Sequence, residues 1–446
     1  MTIMRRRQHT APLHVAVAHE RRVVAIVAIL VFIICTDVFK VVIGTEFPEG
    51  QVKFGVTVLM ATFAFFHVRF LLRAAFGAPE LAMLLILILL STTWSLDPVL
   101  TLERTFQLYA TSALAMVLAS MLSMRGLMLA LAAIAGVLMV ASIVAIGLVD
   151  SARGAEPWPD TWRGVFYHKN GLGSISAVSL ILLSAATSIS KGWTRRVFVS
   201  LAILSVLLLV ASESRTSQVI ATFSVLAVIV SAMVRNYMRI WMIGFLLAFV
   251  VGFAVVLVVL FSGIADPWLE AIGRRATLSN RIPLWQIVWP EVLDRIWTGY
   301  GYETYWDPEA ERVTRIERIP FLGFTPHYSH NGLLELLLNV GILGPPLVAA
   351  ALLRATIGAY VALRVKGMRI AGASALVVLV AFFLFNFTES MLLNRDSFGW
   401  FVFVAVATKL SLLLKLRSRR WLRGPAVAVR RRPGRVAGRQ WAARTQ

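Results

Sequence analysis

Apolar residues in this chain come in runs of about 20, long enough as helix to cross roughly 30 Å of hydrocarbon. That pattern constrains the fold more than any other feature. Soluble domains are about half apolar and a quarter charged. Here 58% of the 446 residues are hydrophobic and 15% are charged, and the mean hydropathy is +0.77. The reading is an all-α, polytopic membrane helical bundle.

Hydropathy gives about twelve spans. They fall near 23–44, 54–72, 79–95, 104–122, 126–148, 170–190, 195–211, 217–234, 239–262, 331–353, 369–387 and 396–415. With the N-terminus inside, every short cytoplasmic connection is basic: Arg69 and Arg73, Arg125, Lys191 with Arg195 and Arg196, Arg235 and Arg239, and Arg364 with Lys366 and Arg369. The first external connections are acidic, with Glu46, Glu49, Asp97, Asp150, Glu156 and Asp160. This is the positive-inside pattern with both termini cytoplasmic. The chain then divides into a basic N-terminus (1–22), nine spans (23–262), one large external loop (263–330), three spans (331–415) and a basic tail (416–446).

The net charge of +21 would suggest nucleic acid in a soluble protein. The basic residues sit instead between spans and at the ends, with no base-stacking motif, so no nucleic-acid partner is expected. The arginine-rich tail suits attraction to anionic membrane lipids. The first apolar run is too long for a signal-peptide core and reads as a retained span. The single Cys35 excludes an internal disulfide and argues against a redox site. No His-Glu-x-x-His, cysteine pair or dense carboxylate set is present, so neither a metal nor another cofactor is expected. There is no Gly-x-x-x-x-Gly-Lys-Ser/Thr loop and no Gly-x-Ser-x-Gly elbow.

Ionisable groups at membrane depth cost at least about 2.5 kcal/mol at a helix centre, so polar clusters at span ends call for a reason. Four appear, all on the expected external side. His168, Lys169 and Asn170 precede the sixth span, where Asn170 can cap the helix and Lys169 can anchor at the interface. Ser212-Glu-Ser-Arg-Thr-Ser217 makes a tight turn. It puts Arg215 at the membrane surface, either paired with Glu213 or offering a planar cation to a phosphate. Arg274, Arg275 and Arg281 lie in the large loop, where Ile282–Ile296 reads as interfacial helix interrupted by Pro290. The fourth cluster is His327, His330, Asn331 and Glu335, with Asn331 placed to cap the tenth span. Glu335 can orient His330 or Asn331, or pair with an arginine. Cations drawn from distant parts of the sequence to one face suggest an anionic substrate.

In this order the motifs resemble the O-antigen ligase and polymerase superfamily, especially its exopolysaccharide-polymerase branch. They are Tyr167-His-Lys-Asn-Gly-Leu-Gly, Ser214-Arg215-Thr216, Asn280-Arg281 before Leu284-Trp285, Gly299-Tyr-Gly-Tyr302, and His330-Asn331 before Leu334-Glu335 and Gly341. The resemblance covers nearly the whole chain. One departure is Asn280, where many relatives have Gly. The resemblance implies a GT-C-like fold of about 12 transmembrane helices with a large periplasmic loop, in the bacterial inner membrane. It also implies metal-independent, inverting transfer of glycan from undecaprenyl diphosphate. His330 would be the general base. Arg215, Arg281 and Lys169 would grip the diphosphate, with His168, Asn170, Asn331, Glu335, His327 and Tyr302 supporting. A chain-length regulator and export proteins would be further partners. The alternatives are an O-antigen ligase acting on lipid A core and a lipid-linked oligosaccharide flippase. A carrier, however, favours midplane polar groups and repeat-related halves.

Overall fold

A computed structural model describes residues 13–44, 46–154, 161–233, 244, 281–307, 326–365 and 367–422. Among these the regular structure is all helix. In chain order the helices are α1 (Leu13–Ile34), α2 (Val38–Val42), α3 (Glu49–Phe66), α4 (Val68–Gly77), α5 (Pro79–Leu90), α6 (Pro98–Met121), α7 (Met124–Leu148) and α8 (Lys169–Ile189). They continue with α9 (Gly192–Ala211), α10 (Arg215–Met233), α11 (Arg281–Asp294), α12 (Gly332–Val340), α13 (Gly344–Leu363), α14 (Arg369–Phe385) and α15 (Phe398–Leu422). Five helical units are long and apolar enough to cross a membrane, or six if the bent pair α3 and α4 counts as one. This is a multi-pass membrane protein. The ninth apolar run apart from Gly244, together with Arg274, Arg275 and Asn280, lies outside the described residues, as do much of the large loop and the end of the tail.

Three runs depart from straight spans. The first stops at Ile34, because Asp37 interrupts it and takes two partners, the Lys53 ammonium at 3.1 Å and the Tyr167 backbone N–H at 2.9 Å. The second breaks at His67, and α4 leaves α3 at 85°. The tenth steps at Gly341, where φ is +66° and a Cβ would lie 2.4 Å from the Trp297 backbone. Only glycine permits that close approach of α12 to the loop before it.

The bundle packs through small residues, as helices in lipid must when no hydrophobic drive separates them from their solvent. Ala351, Ala355 and Ala359 recur every fourth residue on α13 and are buried. A Cβ on Gly358 would sit 2.3 Å from the Leu410 carbonyl of α15. The buried stretch of α8 is likewise rich in Gly, Ala and Ser. Exposed apolar side chains such as Phe65, Ile203 and Leu353 form the outer surface, which lipid would cover.

Contacts sort the connections to two ends. At one end Trp94 Nε1 donates to the Thr298 carbonyl (2.7 Å), Trp162 N to Ala211 O (3.0 Å) and Asp37 N to Val165 O (2.8 Å). At the other, Arg125 donates to Ile189 O (2.8 Å), and Lys415 to Phe76 O (2.6 Å). Among the described residues, the polar motifs lie at the first end and the short basic connections at the second. Near the first end, α11 lies on α12 through Leu284, Val288 and Val292 against Leu334, Leu337 and Leu338, continuing through Pro290. That packing carries Arg281 to the His330 turn.

Candidate functional site

The site is built on the start of α12. Asn331 caps that helix, its Oδ1 accepting from Leu333 N at 3.0 Å and Leu334 N at 3.2 Å. His330 just before it has φ +52°, a left-handed conformation uncommon for residues other than glycine. The neighbouring groups hold it there. Trp285 Nε1 donates to the Ser329 carbonyl (2.7 Å), and Ser329 Oγ donates to the Asn331 carbonyl (2.8 Å). Glu335 accepts from Ser329 N at 2.9 Å and from Trp306 Nε1 at 3.1 Å. Glu335 thus fastens the turn that carries His330.

Facing His330 is a carboxylate the motif reading did not single out. Glu389 lies in the 386–397 connection between α14 and α15. Its Oε1 accepts from Arg281 Nη2 at 2.7 Å, and its Oε2 stands 3.6 Å from His330 Nδ1. Arg281 and Glu389 are both buried. Burial pushes the Glu389 carboxyl up, but Arg281 and His330 outweigh it and hold the group below the usual carboxylate range. It is an anion beside His330. The Tyr328 ring, with its centroid 4.3 Å away, flanks the imidazole.

The Glu389 connection is tied to the His330 turn on both sides of the carboxylate. Gly332 N donates to the Asn386 carbonyl at 2.8 Å, and Asn331 N donates to Ser390 Oγ at 3.1 Å. Asn386 Oδ1 in turn accepts from Met391 N (3.1 Å) and Leu392 N (2.8 Å). A Cβ on Gly332 would lie 2.1 Å from that oxygen. The clasp closes only because residue 332 has no side chain.

The start of α8 adds His168. The expected cap Asn170 is not the cap; His168 Nδ1 accepts from Asn170 N at 3.1 Å instead. Its pKa is lowered to about 4, by burial first and then by His330, Lys169 and Arg281, with Glu389 opposing. His168 is therefore in electrostatic reach of the His330 group and stays neutral at ordinary pH. Lys169 beside it feels Glu213 and Arg215. Gly173 lets the turn between α9 and α10 close onto α8, since a Cβ there would lie 2.3 Å from Ser214 Cβ and 2.8 Å from Ser212 Oγ. Glu213 takes φ +51° in that turn, and Arg215 opens α10 exposed.

The structure thus unites His330, Arg281, His168 and Glu389, and places Lys169 with Arg215 next to them. Tyr302 belongs elsewhere. Its buried hydroxyl donates to the Leu393 carbonyl at 2.5 Å, with Glu303 Oε1 3.1 Å away, beside the ion pairs of Glu303 with Arg104 and Arg395. Tyr300 and Trp306 are also buried rather than displayed. His327 is exposed, three residues before His330. Among the described residues no group of three or more His, Cys, Asp or Glu is arranged to hold a metal ion.

Fold and site together define a multi-pass helical membrane protein with a cation-rich polar site at one end of its bundle. Residues 200–349 match the family described as O-Antigen ligase, a segment that holds Arg215, Arg281 and His330. The exopolysaccharide production protein ExoQ of Rhizobium meliloti (strain 1021) is 24% identical over 272 residues, covering 59% of this chain and 61% of that protein. The chain thus spans less than two thirds of that relative's length. Both findings support the O-antigen ligase and polymerase superfamily that the motifs resemble.

Proposed function

We propose that this protein is a metal-independent, inverting glycosyltransferase. In this reading it polymerises glycan repeat units carried on undecaprenyl diphosphate at the periplasmic face of the bacterial inner membrane. The observation that carries the reading is the Arg281–Glu389–His330 arrangement, with Glu389 between the guanidinium and His330 Nδ1. The acceptor hydroxyl oxygen attacks the anomeric carbon opposite the diphosphate. The bond from that carbon to the phosphate oxygen breaks, and undecaprenyl diphosphate leaves with the electron pair. His330 takes the hydroxyl proton on Nε2, the nitrogen away from Glu389, and Glu389 balances the imidazolium that forms. General-base help of this kind is worth about 10²–10⁴-fold. The 3.6 Å approach of Nδ1 to Glu389 is longer than a hydrogen bond, and we expect it to tighten with substrate bound.

Arg281 uses one donor on Glu389 and has others in its fork for phosphate oxygens. Arg215 and Lys169 extend the cationic surface. These groups stabilise the reaction most as charge grows on the departing diphosphate, which makes them differential binders of the transition state. A periplasmic site with cytoplasmic termini accords with the segregation of polar motifs and basic connections to opposite ends.

The relative's name, an exopolysaccharide production protein, accords with a role in exopolysaccharide synthesis. The matched family's description, O-Antigen ligase, keeps ligation as the second reading, with lipid A core the acceptor that the resemblance implies. Deleting the gene separates them. Loss of polymer with single repeats remaining supports the polymerase, and free lipid-linked polymer beside unsubstituted core supports the ligase. Unchanged glycans with a transport defect would overturn both. His330→Ala should insert normally and restore no polymer to the deletion strain; normal polymer from it sinks the base assignment.

A further inference from the structure

The far end of the bundle carries a helix that its neighbours do not explain. α4 leaves α3 at 85°, so if α3 crosses the bilayer, α4 runs along its surface. One face of α4 is fastened to the bundle. A Cβ on Gly77 would meet the Leu412 side chain at 2.4 Å, Ala74 is fully buried, and Lys415 Nζ donates to the Phe76 carbonyl at 2.6 Å. The other face is open, and its composition is unlike a surface that meets water. Val68, Leu72 and Phe76 recur every four residues at 45%, 50% and 71% exposure, continuing the exposed Phe65 and Phe66 at the bend. Arg69 and Arg73 repeat with the same spacing one position on, and both are exposed.

A stripe of large apolar side chains beside a stripe of arginines, on a helix at right angles to a span, matches the interface of a bilayer. Rings and aliphatic chains enter the acyl boundary while guanidiniums stay at phosphate depth. Two more cations close the patch from α15. Lys409, whose ammonium caps the end of α6 through the Ala119 and Leu122 carbonyls, lies within electrostatic reach of Arg73. Lys415 stands at the end of α4. The nearby carboxylate of Glu80 is engaged by Arg354 at 2.7 Å, so it does not cancel the patch. Guanidiniums bind phosphate oxygens in a planar fork.

We propose that α4, with Lys409 and Lys415, is a docking surface for anionic phospholipid headgroups of the leaflet opposite the His330 site. The inference rests on the fold and not on the proposed reaction. The apolar stripe supplies insertion, and the arginine stripe supplies preference for negative lipid.

Native mass spectrometry of the full-length protein, with phosphatidylglycerol and phosphatidylcholine as probes, tests it. Phosphatidylglycerol should be retained in preference. Arg69→Gln with Arg73→Gln should weaken that retention by roughly fivefold per charge removed. Arg195→Gln with Arg196→Gln, exposed on α9 at the same end, should leave it nearly unchanged. Equal loss in both variants, or no preference in the parent, overturns the proposal. If the α4 variant does not fold, hydrogen exchange of residues 64–78 in the parent decides. Exchange should slow in vesicles containing phosphatidylglycerol relative to phosphatidylcholine alone, and identical exchange overturns the proposal.

Discussion

Gly332→Ala is a substitution of one methyl group that should separate catalysis from substrate binding. The added Cβ would lie 2.1 Å from Asn386 Oδ1, and ordinary contact begins at 3.4 Å. The two groups must therefore part by about 1.3 Å (3.4 less 2.1). Two responses are open. The Asn386 amide can rotate away, which forfeits its bonds from Met391 N and Leu392 N at about 0.5–1.5 kcal/mol each. Otherwise the 386–397 connection shifts as a body and takes Glu389 off His330. A displacement of roughly 1 Å in a reacting group can cost about 10²-fold in rate. Both responses loosen the carboxylate that faces the base, while the open Arg215 and Lys169 surface is untouched. The assay is polymer formation by reconstituted protein from a lipid-linked repeat unit, with kcat and KM separated. We expect kcat to fall by about 10²-fold with KM little changed, and Asn386→Gly to restore part of it in the double variant. A Gly332→Ala protein that turns over at the parent rate would refute the clasp as a positioning device.

Arg281→Met should destabilise the protein by about 3–5 kcal/mol by leaving Glu389 buried without its partner, measured by thermal unfolding in detergent. Arg281→Met with Glu389→Leu should recover stability and not activity; recovery of activity would remove both residues from the mechanism. His168 gives a pH signature. Its folded pKa is about 4 against an ordinary 6.5, so the unfolded chain gains a proton first as pH falls. Its contribution to stability is complete above 6.5 and is lost between 6.5 and 4. His168→Asn, which can still cap α8, should flatten that acid limb, and an unchanged slope would exclude His168 as its source. Arg215→Lys should impair polymer formation, because an ammonium cannot fork onto two oxygens; full activity would refute a bidentate grip.

Several features were legible in the sequence because their causes are local. Apolar runs announce helices in lipid, since such segments must satisfy their own backbone, and basic connections sort to one end. Asn331 reads as a cap because capping spans only three residues. His330, Arg281 and His168 could be named because each stands at the edge of an apolar run. The breaks at Asp37, His67 and Gly341 were hidden, because hydropathy averages over a window longer than the bend. Asn170 looked like the cap of α8, but His168 two residues earlier takes that place, its ring nitrogen accepting from the Asn170 N–H itself.

Glu389 was beyond sequence reading for a different reason. The stretch Asn386-Phe-Thr-Glu-Ser390 is an ordinary polar connection in composition, and its 59-residue separation from His330 carries no periodic signal. Only packing shows that the Asn386 carbonyl meets Gly332 N and that Ser390 meets Asn331. The same holds for Tyr302, which the resemblance implied as a supporting residue and which the tertiary structure buries against Leu393. The sequence by itself determined that the chain is helical and apolar enough for a membrane, and it named His330, Arg281 and His168. Partner choice among those residues was decided by the tertiary structure, because a buried carboxylate is stabilised by whichever groups the fold brings within a few ångströms, wherever they lie along the chain.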